Sequence, residues 1–385
     1  MSNEVIDNII NKAIEHCIEN NLNNFVFAFH GGEPLLCDNA FFINFVQKSN
    51  TLFKKKSITC DFVIQTNGVL LTKEWCGLFN SLGIRVGISL DGYKEINDKN
   101  RIDHKGKGSY DKIVSGLKIA QNELKQKPGI LSVFDIASDP KKYYQNLIDL
   151  DLRQFDLLWP HANYEQLPEA YLDTDNTNPN NTLYADWLIQ IFDLWYAKKA
   201  ETKISITIFE AIINLLLNKS QGNEDFGTED NSILVIETNG GIEAVGALKL
   251  CGDGFTKNDA NIKTHSLSDA LNTDLAKVYH KGHTYLNKKC TLCPLVEVCG
   301  GGHVHTRYKK DNGFDNISVY CKDYMKLITH IQNTIYDSLP IQYQEQWDKI
   351  TYEEVVSYLD NLDAENIENP SYSNQLLSFK KKEIL

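Results

Sequence analysis

The feature that most constrains the fold of this chain is a repeated alternation of amphipathic stretches and short apolar runs over its first 160 residues. Apolar side chains recur at helical spacing in residues 3–20, and the wholly apolar run 25–29 follows them. A short run of this kind is typical of a strand that is buried on both faces of a parallel sheet. The same reasoning predicts helices at 39–54, 73–82 and 109–126, and strands at 62–64, 86–90, 131–136 and 155–159. The pattern predicts an α/β fold of βαβ units, with a ligand site at the carboxyl ends of the strands.

The second half of the chain has a different organisation. The polar stretch 173–182 (DTDNTNPNNT) is the best candidate for a linker, and two apolar helices are predicted around residues 187–195 and 208–217. Two short runs at 233–237 and 242–245 flank the turn NGG, which predicts a β-hairpin. A cysteine-rich segment follows at 290–321, and the last fifty residues are polar and helical in pattern.

The charge of the chain excludes some classes of partner. With 39 Lys and Arg against 51 Asp and Glu, the formal net charge is −12. We therefore expect neither a nucleic-acid binder nor a protein that binds anionic membranes, because both need a basic surface. No apolar run has the length of a membrane span, and no signal-peptide pattern is visible, so we expect a cytoplasmic protein.

Three successive predicted strands end in small polar residues and glycines. The ends are HGGEP at 30–34, QTNG at 65–68 and SLDG at 89–92. Each of them alone is also ordinary turn chemistry. Because the ends of parallel strands meet at one edge, however, together they predict one binding pocket. Arg101, ten residues after Asp91, has a guanidinium that fits a ligand carboxylate, although a solvated arginine is the alternative.

The cysteines are the second chemical signal. Of nine cysteines, Cys290, Cys293 and Cys299 are closely spaced, and Cys321 follows 22 residues later. In a cytosolic chain, crowded thiols indicate a metal site rather than disulfides. Four thiolates suit either tetrahedral zinc or a [4Fe–4S] cluster, and the residues alone do not decide between these two.

The order of these motifs resembles that of the radical S-adenosylmethionine (SAM) enzymes with a C-terminal SPASM domain. GGEP, QTNG, SLDG with a following arginine, and GKGSY at the start of a helix carry the resemblance, which covers about residues 1–335. It implies a partial (β/α)6 TIM-like barrel whose first strand is missing, followed by a SPASM-type iron–sulfur domain. The predicted divisions are a partial barrel at 1–172, a linker and helical segment at 173–230, the SPASM-like domain at 231–335 and a polar helical tail at 336–385.

The resemblance also implies roles for individual residues around SAM and one auxiliary [4Fe–4S] cluster. It implies that Gly31, Gly32 and Glu33 receive the SAM amino group, that Ser89 and Arg101 hold its carboxylate and ribose end, and that Thr66, Asn67 and Asp91 line the same pocket. It assigns the auxiliary cluster to Cys290, Cys293, Cys299 and Cys321. The family's next cysteine position is occupied by His303, and Cys251 alone cannot hold a cluster, so we expect one auxiliary cluster and a packed or hydrogen-bonded His303.

Further local matches point to one group within the family. CGGGH at 299–303, SVYC at 318–321 and FDLLWPHANY at 155–164 resemble the peptide maturases that form cyclophane cross-links. The implied function is a C–C cross-link in a ribosomally made precursor peptide, with flavodoxin or ferredoxin as the electron donor. The alternatives are an anaerobic sulfatase-maturase-like enzyme that forms formylglycine, a degenerate peptide-binding homologue without catalysis, and a zinc protein.

Two features of the family pattern are absent from these 385 residues. No C-x3-C-x2-C motif is present, since the gaps between the first four cysteines are 20, 23 and 16. We therefore expect Met1 to be an internal methionine of a longer protein, whose full-length form holds the second, SAM-reducing [4Fe–4S] cluster, and this chain itself to be inactive toward SAM. The aspartate expected at Gly246 is also absent, which leaves the proton acceptor open among Tyr164, His161 and His305.

Overall fold

The computed structural model describes residues 1–172, 181–220, 222–257, 259–345, 348–362 and 368–380. Six parallel strands form one sheet in the order β1-β2-β3-β4-β5-β6. They are β1 (Asn24–Phe29), β2 (Thr59–Thr66), β3 (Ile84–Ser89), β4 (Gly129–Val133), β5 (Gln154–Leu158) and β6 (Ser205–Ile206). A separate antiparallel hairpin consists of β7 (Val235–Ile236) and β8 (Ile242–Glu243).

Helices connect the strands and form most of the C-terminal part. In the first part they are α1 (Asn3–Glu19), α2 (Asn39–Lys54), α3 (Lys73–Leu82), α4 (Lys94–Asn100), α5 (Tyr110–Glu123), α6 (Pro140–Asp149), α7 (Leu183–Thr202) and α8 (Thr207–Leu216). The later ones are α9 (Leu267–Leu271), α10 (Asp274–His280), α11 (Lys288–Thr291), α12 (Val296–Cys299), α13 (Cys321–Ser338), α14 (Ile341–Gln344), α15 (Tyr352–Asp360) and α16 (Ser373–Leu377). In the part of the chain that is described, no helix is both long and apolar enough to cross a membrane.

Aromatic side chains fix the first strand against its helix. Phe27 of β1 contacts Phe45 and Phe53 of α2, with ring centroids 5.1 and 5.7 Å apart. The opposite face of β1 is open, since Val26 is 48% exposed. The expectation of a strand buried on both faces is therefore wrong for β1. The reason is that β1 lies at the edge of the sheet and only its phenylalanine face packs on a helix.

Helix α13 joins the C-terminal part to the parallel sheet. It packs against α7 and α8 and carries Asp323, which is almost completely buried. The Asp323 carboxylate accepts hydrogen bonds from the Tyr171 hydroxyl at 2.7 Å and from the backbone N–H of Ala185 at 2.9 Å. Burial raises the pKa of Asp323 to about 7. The contact therefore holds the two halves together through hydrogen bonds to a desolvated carboxyl group.

Most of the predicted helices and strands are present, and the α/β class with its parallel sheet is confirmed. The sequence analysis did not predict α4, α6 or the two-residue strand β6. The predicted linker at 173–182 lies almost wholly outside the described residues, and the domain divisions stay predictions.

Two helical glycines differ in the space around them and give a matched test of packing. A Cβ added at Gly116 of α5 would lie 2.0 Å from the backbone oxygen of Gly68, whereas one at Gly77 of α3 would meet nothing within 4 Å. We predict that Gly116→Ala lowers the free energy of unfolding by about 1–3 kcal/mol, since the clash requires a backbone shift. We expect Gly77→Ala to raise it by about 0.5–1 kcal/mol through helix propensity.

Denaturant unfolding of the two variants checks this prediction. Equal effects of the two alanines would contradict the close approach of α5 to the loop after β2.

Candidate functional site

Hydrogen bonds of Glu33 connect the ends of β1 and β2. Its Oε1 accepts from the hydroxyl of Thr66 at 2.7 Å and from the backbone N–H of Leu35 at 3.0 Å, and its Oε2 accepts from the backbone N–H of Asn67 at 2.8 Å. A carboxylate has about four acceptor sites, so one remains after these three bonds. Glu33 therefore has the capacity to accept one further hydrogen bond, such as one from an ammonium group.

Further hydrogen bonds connect the ends of β2, β3 and β4. Gln65 donates from Nε2 to the hydroxyl oxygen of Ser89 at 2.8 Å. Asp91 accepts from Nε of Arg101 at 2.6 Å and from its second nitrogen at 3.1 Å, and it also accepts from the backbone N–H of Val133 at 2.9 Å. The Arg101 side chain is 27% exposed. Arg101 is thus held in a two-point ion pair rather than being only solvated.

The strand-end residues predicted from the sequence therefore lie side by side at the carboxyl ends of β1, β2 and β3. Gly31 and Gly32 have φ values of 91° and 53°, which favour glycine, and nothing lies within 4 Å of where a Cβ would stand. This open loop, together with the spare acceptor site of Glu33, fits an amino-acid ligand such as SAM. The sequence analysis included Gln65 in the QTNG motif but gave it no role, and it missed the buried Asn97, whose side-chain oxygen accepts from the N–H of Asp91 at 3.2 Å.

The four predicted cysteine ligands line one cavity of about 140 Å3. Cys290 lies in α11, Cys293 in the turn after it, Cys299 ends α12 and Cys321 begins α13. Apolar side chains complete the wall; they are Leu295, Val296, Ile317, Met325, Val356 and Leu359. Burial raises the pKa of Cys290 to about 11 and that of Cys299 to about 12. Burial therefore favours the protonated thiols, and a bound metal centre would favour their thiolate form.

The spacing of the thiols bears on the choice between zinc and a cluster. Among the residues the structure describes, no three His, Cys, Asp or Glu side chains form a group that could hold one metal ion. A tetrahedral zinc site needs every sulfur about 2.3 Å from the same ion. A [4Fe–4S] cluster is a larger body that four cysteines bind at separate iron atoms. Four thiols around one cavity supply the number of ligands that either centre needs, so the geometry leaves the choice between zinc and a cluster open.

A buried arginine shapes the loop beside this cavity. Residues 300–302 are three consecutive glycines with φ values of 58°, 80° and 68°. Arg307 is 2% exposed and donates to the backbone oxygens of Gly300, Gly301, Gly302, Gly282 and Tyr285. Its charge also acts on Cys290, whose pKa it lowers against the larger effect of burial. The glycine loop and Arg307 together fix the position of Cys299.

The sequence analysis left Tyr164, His161 and His305 as candidate proton acceptors. Tyr164 is unsuited to this role. Its hydroxyl donates to the backbone oxygen of Ile317 at 3.0 Å, and burial raises its pKa far above neutral. His303 lies 2.5 Å from Asp225 Oδ1 through Nε2, and its role stays a prediction. His161 and His305 lie beside it, with His305 between the other two rings.

We predict that Cys299→Ala and Cys321→Ala abolish iron binding at this cavity, since each removes one of four ligands. The measurement is iron per chain, with the visible absorption spectrum, after anaerobic reconstitution. Cys37→Ala is the matched control, because Cys37 is exposed and lies outside the cavity. Full iron retention in Cys299→Ala would contradict the assignment.

We predict that Arg307→Lys lowers the free energy of unfolding by about 2–4 kcal/mol, because three ammonium donors cannot satisfy five buried carbonyls. Arg153→Lys is the control, since Arg153 pairs with Asp151 near the surface and we expect a change within about 0.5 kcal/mol. Denaturant unfolding under anaerobic conditions measures both. A loss as small as that of the control would contradict the structural role of Arg307.

Comparison with known proteins adds evidence on the fold and the relatives of this chain that is independent of the motifs above. No family model matches the chain. The cysteine-type anaerobic sulfatase-maturating enzyme of Clostridium novyi (strain NT) is 29% identical over 328 residues, which cover 82% of this chain and 83% of that enzyme. The serine-type enzyme of Bacteroides thetaiotaomicron is 24% identical over 356 residues, covering 86% and 81%. Native anSMEcpe with bound AdoMet and the Cp18Cys peptide superposes with a TM-score of 0.71 at 22% identity, covering 87% of this chain and 92% of that one.

These similarities correct one expectation from the sequence. The relatives found are sulfatase-maturating enzymes, so the interpretation as a cyclophane-forming maturase is wrong and its alternative is better supported. The fold expectation is confirmed, because the solved structures share the architecture over most of both chains. The chain therefore shares the fold of anSMEcpe over most of its length, and its sequence is similar to those of anaerobic sulfatase-maturating enzymes.

Proposed function

We propose that this protein is a SAM-dependent oxidoreductase of the sulfatase-maturase type, which converts a Cys or Ser side chain of a peptide or protein substrate to formylglycine. One observation carries the proposal: the similarity to the C. novyi enzyme extends over 82% of this chain and 83% of that enzyme.

The strand-end residues supply the binding site for SAM in this proposal. The glycines of the loop after β1 and the spare acceptor site of Glu33 receive the amino group. Ser89 and Arg101 hold the carboxylate and ribose end, while Thr66, Asn67 and Asp91 keep the pocket in shape through the hydrogen bonds described above. When bound, SAM with its reducing cluster supplies the radical that removes a hydrogen atom from the substrate.

The cysteine cavity supplies the second redox centre. We assign one auxiliary [4Fe–4S] cluster to its four cysteines, because the thiols surround a single enclosed space. His303 occupies the position where the family pattern has a further cysteine, and it is engaged with Asp225. A flavodoxin or ferredoxin remains the proposed electron donor.

A second candidate is a homologue that binds a peptide without catalysis. The absence of C-x3-C-x2-C from the 385 residues favours it for this chain as it stands. Iron analysis separates the two, since one [4Fe–4S] cluster corresponds to about four irons per chain and two clusters correspond to about eight.

We predict that the product of the natural gene, reconstituted with iron and sulfide and supplied with SAM and a reductant, forms an aldehyde on a sulfatase-type peptide. The peptides carry either Cys or Ser at one position and are otherwise identical. Mass spectrometry after reaction with a hydroxylamine probe detects formylglycine. We expect the 385-residue chain itself to bind the peptide and to form no 5′-deoxyadenosine.

A peptide with Ala at the reactive position is the substrate control. Arg101→Ala tests the SAM site, and we expect it to weaken SAM binding at least about 10-fold, since a charged hydrogen bond contributes about 1.5–3 kcal/mol. Loss of two hydrogen atoms from the Ser peptide with no probe-reactive aldehyde would contradict the proposed function.

A further inference from the structure

Two asparagines outside the proposed SAM site hold the turn that follows β3. This turn consists of Asp91 and Gly92. Asn97 of α4 accepts a hydrogen bond at its side-chain oxygen from the backbone N–H of Asp91 at 3.2 Å. Asn146 of α6 donates one from its side-chain nitrogen to the backbone oxygen of Gly92 at 3.3 Å. The turn is therefore held from both sides by side chains of two different helices.

The two asparagines are connected to each other through the start of α5. Asn97 donates from Nδ2 to Oδ1 of Asp98 at 3.0 Å, and the same oxygen accepts from the backbone N–H of Tyr110 at 2.8 Å. The hydroxyl of Tyr110 then donates to Oδ1 of Asn146 at 2.8 Å. Together with the two bonds to the turn, these bonds form a closed ring across α4, α5 and α6. We call the four residues of this ring the turn frame; they are Asn97, Asp98, Tyr110 and Asn146.

The burial of Asn97 shows that this arrangement is specific. Asn97 is fully buried although it lies in the middle of the seven-residue helix α4. Asparagine is a weak helix former, and a buried amide is costly unless its oxygen and its nitrogen are hydrogen-bonded. Both atoms of Asn97 have a partner because the turn and Asp98 lie beside them. The residue is therefore better explained by its contact with the turn than by the helix.

Helix α4 also fixes the backbone of Arg101. The N–H of Arg101 donates to the backbone oxygen of Asn97 at 2.9 Å, and its own backbone oxygen accepts from the N–H and the hydroxyl of Ser109 at 3.0 and 2.8 Å. The guanidinium of Arg101 forms its two-point ion pair with Asp91, whose carboxylate also accepts from the N–H of Val133. Both members of the ion pair are thus anchored to α4 by hydrogen bonds that do not involve their charged groups.

We propose that the turn frame positions the ion pair of Asp91 and Arg101 for SAM before SAM is present. Asn97, Tyr110 and Asn146 are then positioning residues rather than catalytic residues. The inference rests on the proposed function, since that function assigns SAM to this pocket. A guanidinium whose position is already fixed loses less conformational freedom when it binds a carboxylate. The turn frame therefore raises the affinity for SAM, and it takes no part in the reaction of bound SAM.

The first test measures equilibrium binding of SAM to the product of the natural gene, reconstituted with iron and sulfide. We expect Asn97→Ala to weaken SAM binding about 10-fold, because it removes two hydrogen bonds of the frame, and Tyr110→Phe to weaken it about 3-fold, because it removes one. In the loaded enzyme, we expect both variants to raise the SAM concentration at half-maximal rate and to leave the maximal rate unchanged. A lower maximal rate at saturating SAM would overturn the positioning role.

Two substitutions of the same kinds serve as matched controls. The side chain of Asn80 also accepts one hydrogen bond from a backbone N–H, at 2.9 Å, and donates one to a backbone oxygen, at 2.8 Å. It lies near the end of α3, just before β3 begins, and hence at the opposite ends of the strands. The hydroxyl of Tyr196 in α7 is hydrogen-bonded to that of Ser338 at 3.1 Å. We expect Asn80→Ala and Tyr196→Phe to bind SAM like the wild type, and equal losses in Asn97→Ala and Asn80→Ala would overturn the proposal.

A double-mutant cycle tests the connection through α5. The hydroxyl of Tyr110 reaches the turn through Asn146. We therefore expect the double variant Tyr110→Phe with Asn146→Ala to bind SAM as weakly as Asn146→Ala alone. Additive losses would overturn the ring of hydrogen bonds, because the two side chains would then act independently. Tyr110 and Asn146 are less buried than Asn97, so this test holds even where Asn97→Ala does not fold.

Amide hydrogen exchange in the SAM-free protein tests the turn frame without any ligand. We expect Asn97→Ala to raise the exchange rate of the Asp91 N–H at least about 10-fold over that in the wild type, since this N–H loses its acceptor. Asn80→Ala is again the control and should match the wild type. Unchanged exchange in Asn97→Ala would overturn the frame.

These measurements also separate the inference from the proposed function. A wild-type protein that binds SAM and forms no aldehyde would overturn the proposed reaction, while SAM binding by the variants would still support or reject the positioning role. A wild-type protein that binds no SAM would overturn both.

Discussion

Parallel pairing in register is the constraint on which the strand-end site depends. Phe29 pairs with Ile64 and Thr66 pairs with Ile88, so β1, β2 and β3 end close to one another at the same edge. Side chains alternate faces along a strand, and a slip of one residue would turn Gln65 and Ser89 to the helix side. The hydrogen bonds of Glu33 to the end of β2 exist only in this register. The sheet therefore sets the geometry of the binding site before any ligand is present.

The loop beside the cysteine cavity depends on a different interaction. The guanidinium of Arg307 is surrounded by backbone carbonyls. Glycines 300–302 all adopt left-handed conformations, and a Cβ at Gly300 would lie 2.0 Å from the backbone oxygen of Gly227. Their carbonyls point at Arg307, whose planar fork of donors matches several acceptors at once. The charge of the buried Arg307 also lowers the pKa of Cys290 and Cys299 against the larger effect of burial, which favours their thiolate form. The loop thus positions Cys299 and supplies positive charge beside the cavity.

Sequence patterns revealed those parts of the fold that have a local signal. Apolar residues at helical spacing and short apolar runs predicted the main helices and strands. Strand β6 is only two residues long, which is too short to show a periodic pattern. Helix α4 has four charged residues among its seven and no apolar stripe, whereas α6 begins with the capping Asp139 followed by Pro140, which is a typical helix start signal. Conversely, Glu33 and Asn67 are 34 positions apart along the chain. No local pattern shows that the Asn67 N–H donates to the Glu33 carboxylate, so this contact became visible only once β1 and β2 had been paired.

The misassigned function also has a structural explanation. The segment 155–164 that suggested cyclophane chemistry includes Tyr164, whose N–H and hydroxyl donate to the backbone oxygens of Tyr308 and Ile317. In the cysteine-rich part of the chain, Asn316 donates to the backbone oxygen of Arg307. These residues join the barrel to the cysteine-rich part, and such contacts are compatible with more than one reaction on the same architecture. His303 stands where the resemblance implies a further cysteine, and its Nε2 lies 2.5 Å from Asp225 Oδ1. An imidazole beside a carboxylate is not one more thiolate ligand, so this position separates the chain from the pattern that suggested its function.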